Sequence, residues 1–227
     1  MLRVTFQGHS CFTITDSKSN IIIDPFLKGN PKAKAKPDEM KVDAVLLTHG
    51  HSDHLGDGIE IAKANKAQLI APFELAMFCQ SKGASVHPMH IGGSHDFPFG
   101  RVTLTIAHHG SGWVDGDTII YLGNPCGFVI RMEGKNVYHA GDTGLFYDMK
   151  LIGELYPLDL ALLPIGDNFT MGPREALKVA ELLSPKMVIP MHYNTFDLIA
   201  QNPQAFLSRL PGAIGGKILE VGDSYEL

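Results

Sequence analysis

The sequence predicts an α/β fold in which β-sheets are covered by helices. Short β-rich runs fill the first part of the chain, strand and helix patterns alternate after it, and neither a linker-like break nor a short-period repeat interrupts them. With 227 residues, 44% of them hydrophobic and 19% charged, the chain can bury a sizeable core, and a single domain over residues 1–227 is expected.

Residues 1–25 read as a β-meander. Arg3 to Phe6, Cys11 to Thr15 and Asn20 to Ile23 are short β-rich runs, separated by turns near Gly8 and at Asp16-Ser17-Lys18-Ser19. Lys28 to Lys41, rich in Lys, Pro and Ala, reads as a solvated surface loop. The apolar run from Asp43 to His49 reads as a buried strand. Helical spacing at Gly58 to Asn65 and at Phe73 to Lys82 brackets a strand at Gln68 to Ala71. Further strands are expected at Ser85 to Met89, Arg101 to Ala107, Gly127 to Met132, Asn136 to His139 and Leu158 to Leu163. A helix from Pro173 to Leu183 carries proline in its first turn, where the missing N–H costs nothing. A strand at Met187 to Pro190, a helix near Gln204 to Leu210 and a terminal strand at Ile218 to Val221 complete the chain.

Composition excludes several classes. A net charge of −5 leaves no basic footprint for long duplexes. The cysteines Cys11, Cys79 and Cys126 are scattered and odd in number, which argues against a disulfide framework and for a reducing compartment. Met1-Leu-Arg-Val-Thr-Phe reads as a strand rather than a signal peptide, and no apolar run approaches the ~18 residues of a membrane span. A cytoplasmic protein without a membrane partner is expected.

The chemistry concentrates in Thr48-His49-Gly50-His51-Ser52-Asp53-His54-Leu55-Gly56-Asp57. Three histidines and an aspartate within six residues suit a borderline divalent ion far better than they suit packing. In a loop leaving a strand tip, His49 and His51 can turn to one ion while Asp53 and His54 face a second. Four other β-rich runs end the same way: before Asp24-Pro25, before His108-His109-Gly110-Ser111, before His139-Ala140-Gly141-Asp142 and before His192-Tyr193-Asn194. Strand tips at one edge of a sheet converge in space, and open α/β sheets bind ligands there.

These stretches resemble the metallo-β-lactamase superfamily, whose mark is His-x-His-x-Asp-His after a strand. Within it the chain is similar to the branch that contains L-ascorbate-6-phosphate lactonase and many metal-dependent hydrolases. Gly8-His9-Ser10, Ile23-Asp24-Pro25-Phe26, Tyr138 to Phe146, Leu163 to Gly172 and Ile189 to Phe196 carry the same likeness across most of the chain. The resemblance implies an αββα sandwich of two mixed β-sheets flanked by helices. It implies a first ion held by His49, His51 and His109, a second held by Asp53, His54 and His192, and Asp142 bridging both. His108 and His109 compete for one place, and the family's spacing after Ala107 selects His109. Zinc is the first choice for both ions, with manganese or nickel as alternatives, because His and Asp accept all three.

With Asp53 and Asp142 as the anions of such a set, the ions stay under-neutralised and can hold hydroxide and an anionic substrate. Hydroxide attack on a metal-polarised carbonyl or phosphoryl centre follows, without a serine or cysteine nucleophile. Asp53 and His9 are read as taking direct part, His9 from the pocket rim as proton donor or substrate contact. Asn168, Thr170 and Tyr193 lie in family motifs and are read as substrate contacts. Asp24 either orients a ligand histidine or is a turn aspartate before proline. His139 stands either behind the ligands or in the core. His87, His90 and His95 lack ligand spacing.

Departures from better-known relatives narrow the reading. His51 stands where di-iron flavoproteins carry glutamate, and Asp142 stands where zinc β-lactamases use cysteine. Thioesterases of the glyoxalase type lack the motifs around Asn168 and Tyr193. The leading expectation is hydrolysis of a small ester or lactone, with or without a phosphate. The alternative is a phosphodiesterase or nuclease acting on short or single-stranded substrates, and a metal-buffering protein without turnover is third. Apolar Leu145-Phe146-Tyr147 could serve a homo-oligomer interface.

Overall fold

The computed structural model describes residues 1–227. The first sheet is built from β1 (Arg3–Gly8), β2 (Cys11–Thr15), β3 (Asn20–Ile23), β4 (Ala44–Leu46), β5 (Gln68–Pro72) and β6 (Val86–Met89). The second contains β7 (Ser94–Phe97), β8 (Gly100–Ile106), β11 (Cys126–Met132), β12 (Lys135–His139), β13 (Leu160–Pro164), β14 (Met187–Met191) and the short β15 (Gly215–Gly216). Between β8 and β11 a separate hairpin forms from β9 (Gly112–Asp115) and β10 (Thr118–Tyr121). The chain finally returns to the first sheet as β16 (Ser224–Glu226), antiparallel to β1.

Both sheets follow one plan. The first runs β16-β1-β2-β3-β4-β5-β6 and changes from antiparallel to parallel pairing at β3/β4. The second runs β15-β14-β13-β12-β11-β8-β7 and makes the same change at β12/β13. Because β1, β3 and β4 point one way in their sheet, and β8, β12 and β14 one way in theirs, each set ends at a common edge. The two sheets face each other across a shared apolar core, to which Phe12, Ile21, Ile23 and Leu46 come from the first and Leu104, Phe128, Val137 and Leu162 from the second. Ile22, Val45 and Leu47 point to the opposite face and meet a smaller core. There they pack with helices α2 (Gly58–Asn65) and α3 (Phe73–Ser81), which follow the single turn α1 (Ser52–Leu55). Helices α4 (Met149–Leu155) and α5 (Pro173–Leu183) cover the second sheet, and α6 (Pro203–Leu207) packs beside α5. The αββα sandwich expected from the sequence is therefore the observed architecture. No helix is long and apolar enough to cross a membrane.

Most predicted strands and helices lie within a few residues of the observed ones, and several features differ. The expected terminal strand at Ile218 to Val221 is coil. Gly222 has φ +94°, and Glu220 and Asp223 close a turn on each other, so Leu219 is buried without a ladder partner and the chain rejoins β1 only at Gly222 and Asp223, which bond to Phe6. The β9–β10 hairpin went unpredicted although Asp115-Gly116-Asp117 is a turn signal, with Gly116 at φ +59°. The strand Ser94–Phe97 went unpredicted because its residues are mostly exposed and polar. Helix α4 went unpredicted because Leu151 and Leu155 are exposed, which leaves a weak helical pattern.

The α4 helix is locked to α5 by a contact that only glycine permits. A Cβ at Gly153 would run into the backbone of Leu183. Gly153→Val is expected to lower unfolding free energy by roughly 1–3 kcal/mol, read as a lower urea midpoint at unchanged slope.

Candidate metal centre

The site begins with a buried carboxylate. Asp24 leaves β3 with φ +46°, and its side chain is completely buried. Its Oδ1 accepts the Thr48 backbone N–H at 2.8 Å, and its Oδ2 accepts the Thr48 hydroxyl at 2.6 Å. Oδ2 also lies 2.8 Å from His54 Nδ1. These bonds tie the end of β3 to the end of β4 and determine two tautomers. The Thr48 hydroxyl spends its one proton on Asp24, so His49 Nδ1, 2.9 Å away, must donate to Thr48 Oγ1. His54 likewise donates Nδ1–H to Asp24. Both rings then turn Nε2 toward the interior of the site.

The chain turns back immediately after His49. His51 has extended backbone and opens the one-turn helix α1, which carries Asp53 and His54. Gly56 ends that turn at φ +43°, where any Cβ would meet the Pro25 carbonyl oxygen. This is why the motif needs glycine there.

Two groups of donor atoms result. His49 Nε2 and His109 Nε2 approach His51 Nδ1 at 2.9 and 3.2 Å. Such spacings are close to the ~3.3 Å between ligands that each sit ~2 Å from one tetrahedral ion. Donor atoms of His9, Asp53, His54 and His192 form the second group, all within 4.8 Å of one another. Asp142 stands between the groups, its Oδ2 3.0 Å from His192 Nε2, 3.2 Å from His54 Nε2, 3.6 Å from His109 Nε2 and 4.0 Å from His49 Nε2. The first sheet supplies His49, His51, Asp53 and His54, and the second supplies His109, Asp142 and His192.

The donor set fits divalent cations. His54 Nε2, both ring nitrogens of His192 and Asp142 Oδ1 are buried without a hydrogen-bonding partner of suitable geometry, a costly state for a folded chain unless something else satisfies them. Protonation follows the same layout. Burial pushes the His49, His51 and His109 pKa values down, well down for His49, so these rings are neutral near pH 7. Burial would also strip the proton from His54, but Asp142, Asp24 and Asp53 outweigh it and hold its pKa well above the usual histidine value. Burial opposes ionisation of Asp142, and the neighbouring His192 and His54 reverse that and hold its carboxyl well below the usual range.

Other residues singled out in the sequence divide. Asp24 touches a ligand histidine directly, so the orienting alternative is the one the geometry presents. His108 is exposed and lies tilted against Phe146 at 4.7 Å between ring centroids, leaving the cluster to His109. His139 is buried and belongs to none of the donor groups, with Nε2 2.9 Å from the Ser10 carbonyl oxygen and Nδ1 accepting Gly141 N–H at 3.1 Å. It clamps the backbone that delivers Asp142. His9 is not at the rim as expected: it is 1% exposed, with Nε2 3.0 Å from Asp53 Oδ2 and Nδ1 2.8 Å from Thr195 Oγ1. Its pKa falls to about 4, because burial outweighs the bond to Asp53.

The cavity over the donors has a volume of about 580 Å³, and its walls beyond the ligands are Phe26, Ser52, Phe169, Phe196 and Leu198. None of the expected substrate contacts Asn168, Thr170 and Tyr193 lines it. Asp167 and Asn168 both have left-handed φ, and the tight turn they make puts Phe169, not its neighbours, on the wall. His192 has φ +54°, which breaks the strand alternation, and Tyr193 packs against the main core instead. Sequence reasoning passed over the aromatic wall, although an aromatic residue stands within four positions of Asp24 and of His192.

Residues 19–193 match the model of the β-lactamase superfamily domain. A UPF0173 metal-dependent hydrolase of Bacillus cereus is 54% identical over 228 residues, covering all of both chains. The UPF0173 metal-dependent hydrolase YtkL of Bacillus subtilis is 54% identical with the same full coverage. Among solved structures, Igni18, a metallo hydrolase from the archaeon Ignicoccus hospitalis, superposes with a TM-score of 0.90 at 37% identity, covering 100% of this chain and 99% of its own.

Two outcomes are expected from this geometry. Asp24→Asn should weaken divalent-ion binding about 10–100-fold in competition with a chromophoric chelator, because His54 loses its anionic partner. Ion uptake at pH 7 should release about one proton per chain, from His54, with none from His49, His51 or His109. Calorimetry in two buffers of different ionisation enthalpy measures that number, and zero would contradict the charge layout.

Proposed function

The chain belongs to the β-lactamase superfamily and, within it, to the UPF0173 metal-dependent hydrolases, and from that premise we propose that it binds two divalent ions, zinc by preference, and hydrolyses a small ester or lactone. One observation carries the reading: seven donor side chains from both sheets meet beneath an open cavity, and buried polar atoms of three of them, His54, Asp142 and His192, have no hydrogen-bonding partner. His49, His51 and His109 would hold one ion, and Asp53, His54 and His192 the other, with Asp142 shared. Bound there, the ions would supply Lewis acidity to a substrate oxygen and a nucleophile drawn from water at neutral pH.

The chain's own groups do the rest. Asp24 and Thr48 hold His49 and His54 in the tautomers that coordination needs. His9, neutral at pH 7, fixes the Asp53 carboxylate from below and is itself held by Thr195. The three cysteines are all buried outside the cavity, so none of them offers a thiol nucleophile to its contents. The phosphodiester alternative uses the same donors, since paired ions also suit in-line displacement.

Metal-stripped protein reloaded with zinc, manganese or nickel, assayed on lactones, simple esters and bis-p-nitrophenyl phosphate, tests the reading. Lactone or ester turnover that rises with the second equivalent of ion supports it. Faster turnover of the phosphodiester would transfer the assignment, and two bound ions with no turnover would make the protein an ion store. His51→Ala should lower kcat/KM at least about a hundredfold, a barrier change of about 2.7 kcal/mol.

A further inference from the structure

The wall of the cavity carries information that the ligands do not. Phe169 is 51% exposed, Phe196 42% and Leu198 70%, all around the opening above the donor cluster. Such a ring of large apolar side chains is costly to leave in water unless a ligand covers it. The wall is anchored to the site. Phe26 N–H bonds the Asp24 carbonyl oxygen at 2.8 Å, and the Phe26 and Phe196 rings meet buried His9 edge-on at 5.7 and 5.8 Å between centroids. These two rings lie 6.4 Å apart and form one continuous aromatic surface.

Charge is the other half of the observation. No lysine or arginine lines the cavity. Lys28 and Lys32, close in sequence to Phe26, line other cavities. A phosphate held away from the ions needs guanidinium, ammonium or several N–H donors, whereas this wall offers the single hydroxyl of Ser52. A fixed negative charge lying against Phe26, Phe169 and Phe196 would be desolvated without a partner.

Resting on the hydrolytic reading above, we infer that the substrate is a neutral ester or lactone bearing an aromatic or branched-alkyl group, with no phosphate or other fixed charge away from the bond that breaks. Anionic character is confined to the atoms that reach the ions. In the reaction the acyl carbon–oxygen bond breaks, the oxygen of water joins the acyl carbon, and the released alcohol oxygen takes a proton from that water. Phe26, Phe169, Phe196 and Leu198 act in specificity, by covering the apolar group.

The test uses the zinc-loaded full chain and three lactones that share one ring: unsubstituted γ-butyrolactone, its γ-phenyl derivative and its γ-phosphomethyl derivative. The phenyl lactone should exceed the unsubstituted ring in kcat/KM by about tenfold or more, and the phosphomethyl lactone should fall below it. Phe169→Ala and Phe196→Ala should each lower the phenyl-to-unsubstituted ratio at least about threefold, and Phe196→Leu should restore most of it. A ratio near one, a preference for the phosphomethyl lactone, or a ratio unmoved by all variants overturns this inference while leaving the hydrolytic reading intact. No turnover of any lactone or simple ester, with both ions bound, overturns the hydrolytic reading and this inference with it.

Discussion

The buried Asp24 carboxylate is the constraint on which the rest of the site depends. Three donors satisfy it, two from Thr48 and one from His54, and those bonds bring the ends of two parallel strands into register. A charged group in that position is tolerable only because it is so fully bonded. In return, one side chain sets the ring orientation of two histidines, and through them the direction in which their lone pairs point. The protein alone thus organises these candidate donors.

Backbone strain clusters at the same edge. His9, Asp24, Asp167, Asn168 and His192 all have positive φ although none is glycine. Each stands at or just beyond a strand end, in a turn that aims a side chain toward the donors or toward the cavity wall. Such conformations persist where surrounding structure over-determines them, and here hydrogen bonds do so: His192 N–H bonds the His9 carbonyl oxygen at 2.8 Å, which joins strained turns of the two sheets directly.

Those turns also explain what the sequence could and could not say. The His49 to His54 motif was legible because chemical density of that kind has no packing purpose. The strand bearing Ile21, Ile22 and Ile23 was legible because buried parallel strands read as unbroken apolar runs. His109 was separable from His108 only through the likeness to a known family, since adjacent residues on a strand end differ by the direction of one side chain. The cavity wall was illegible for the same reason. Whether Asn168, Phe169 or Thr170 faces the site depends on left-handed φ angles at Asp167 and Asn168, which composition does not encode. His9 was placed at the rim because its burial depends on Phe26 and Phe196, two distant aromatics that close over it.

Each sheet contributes donor side chains to a cluster that neither completes by itself. The distance between the sheets is set by core side chains such as Phe12, Phe128 and Leu162. Catalytic geometry is therefore a gauge of core volume: a methyl group gained or lost in that interior shifts one half of the constellation against the other. Selection on turnover must reach deep into the hydrophobic interior, and apolar positions remote from any substrate carry the tolerance of the reaction.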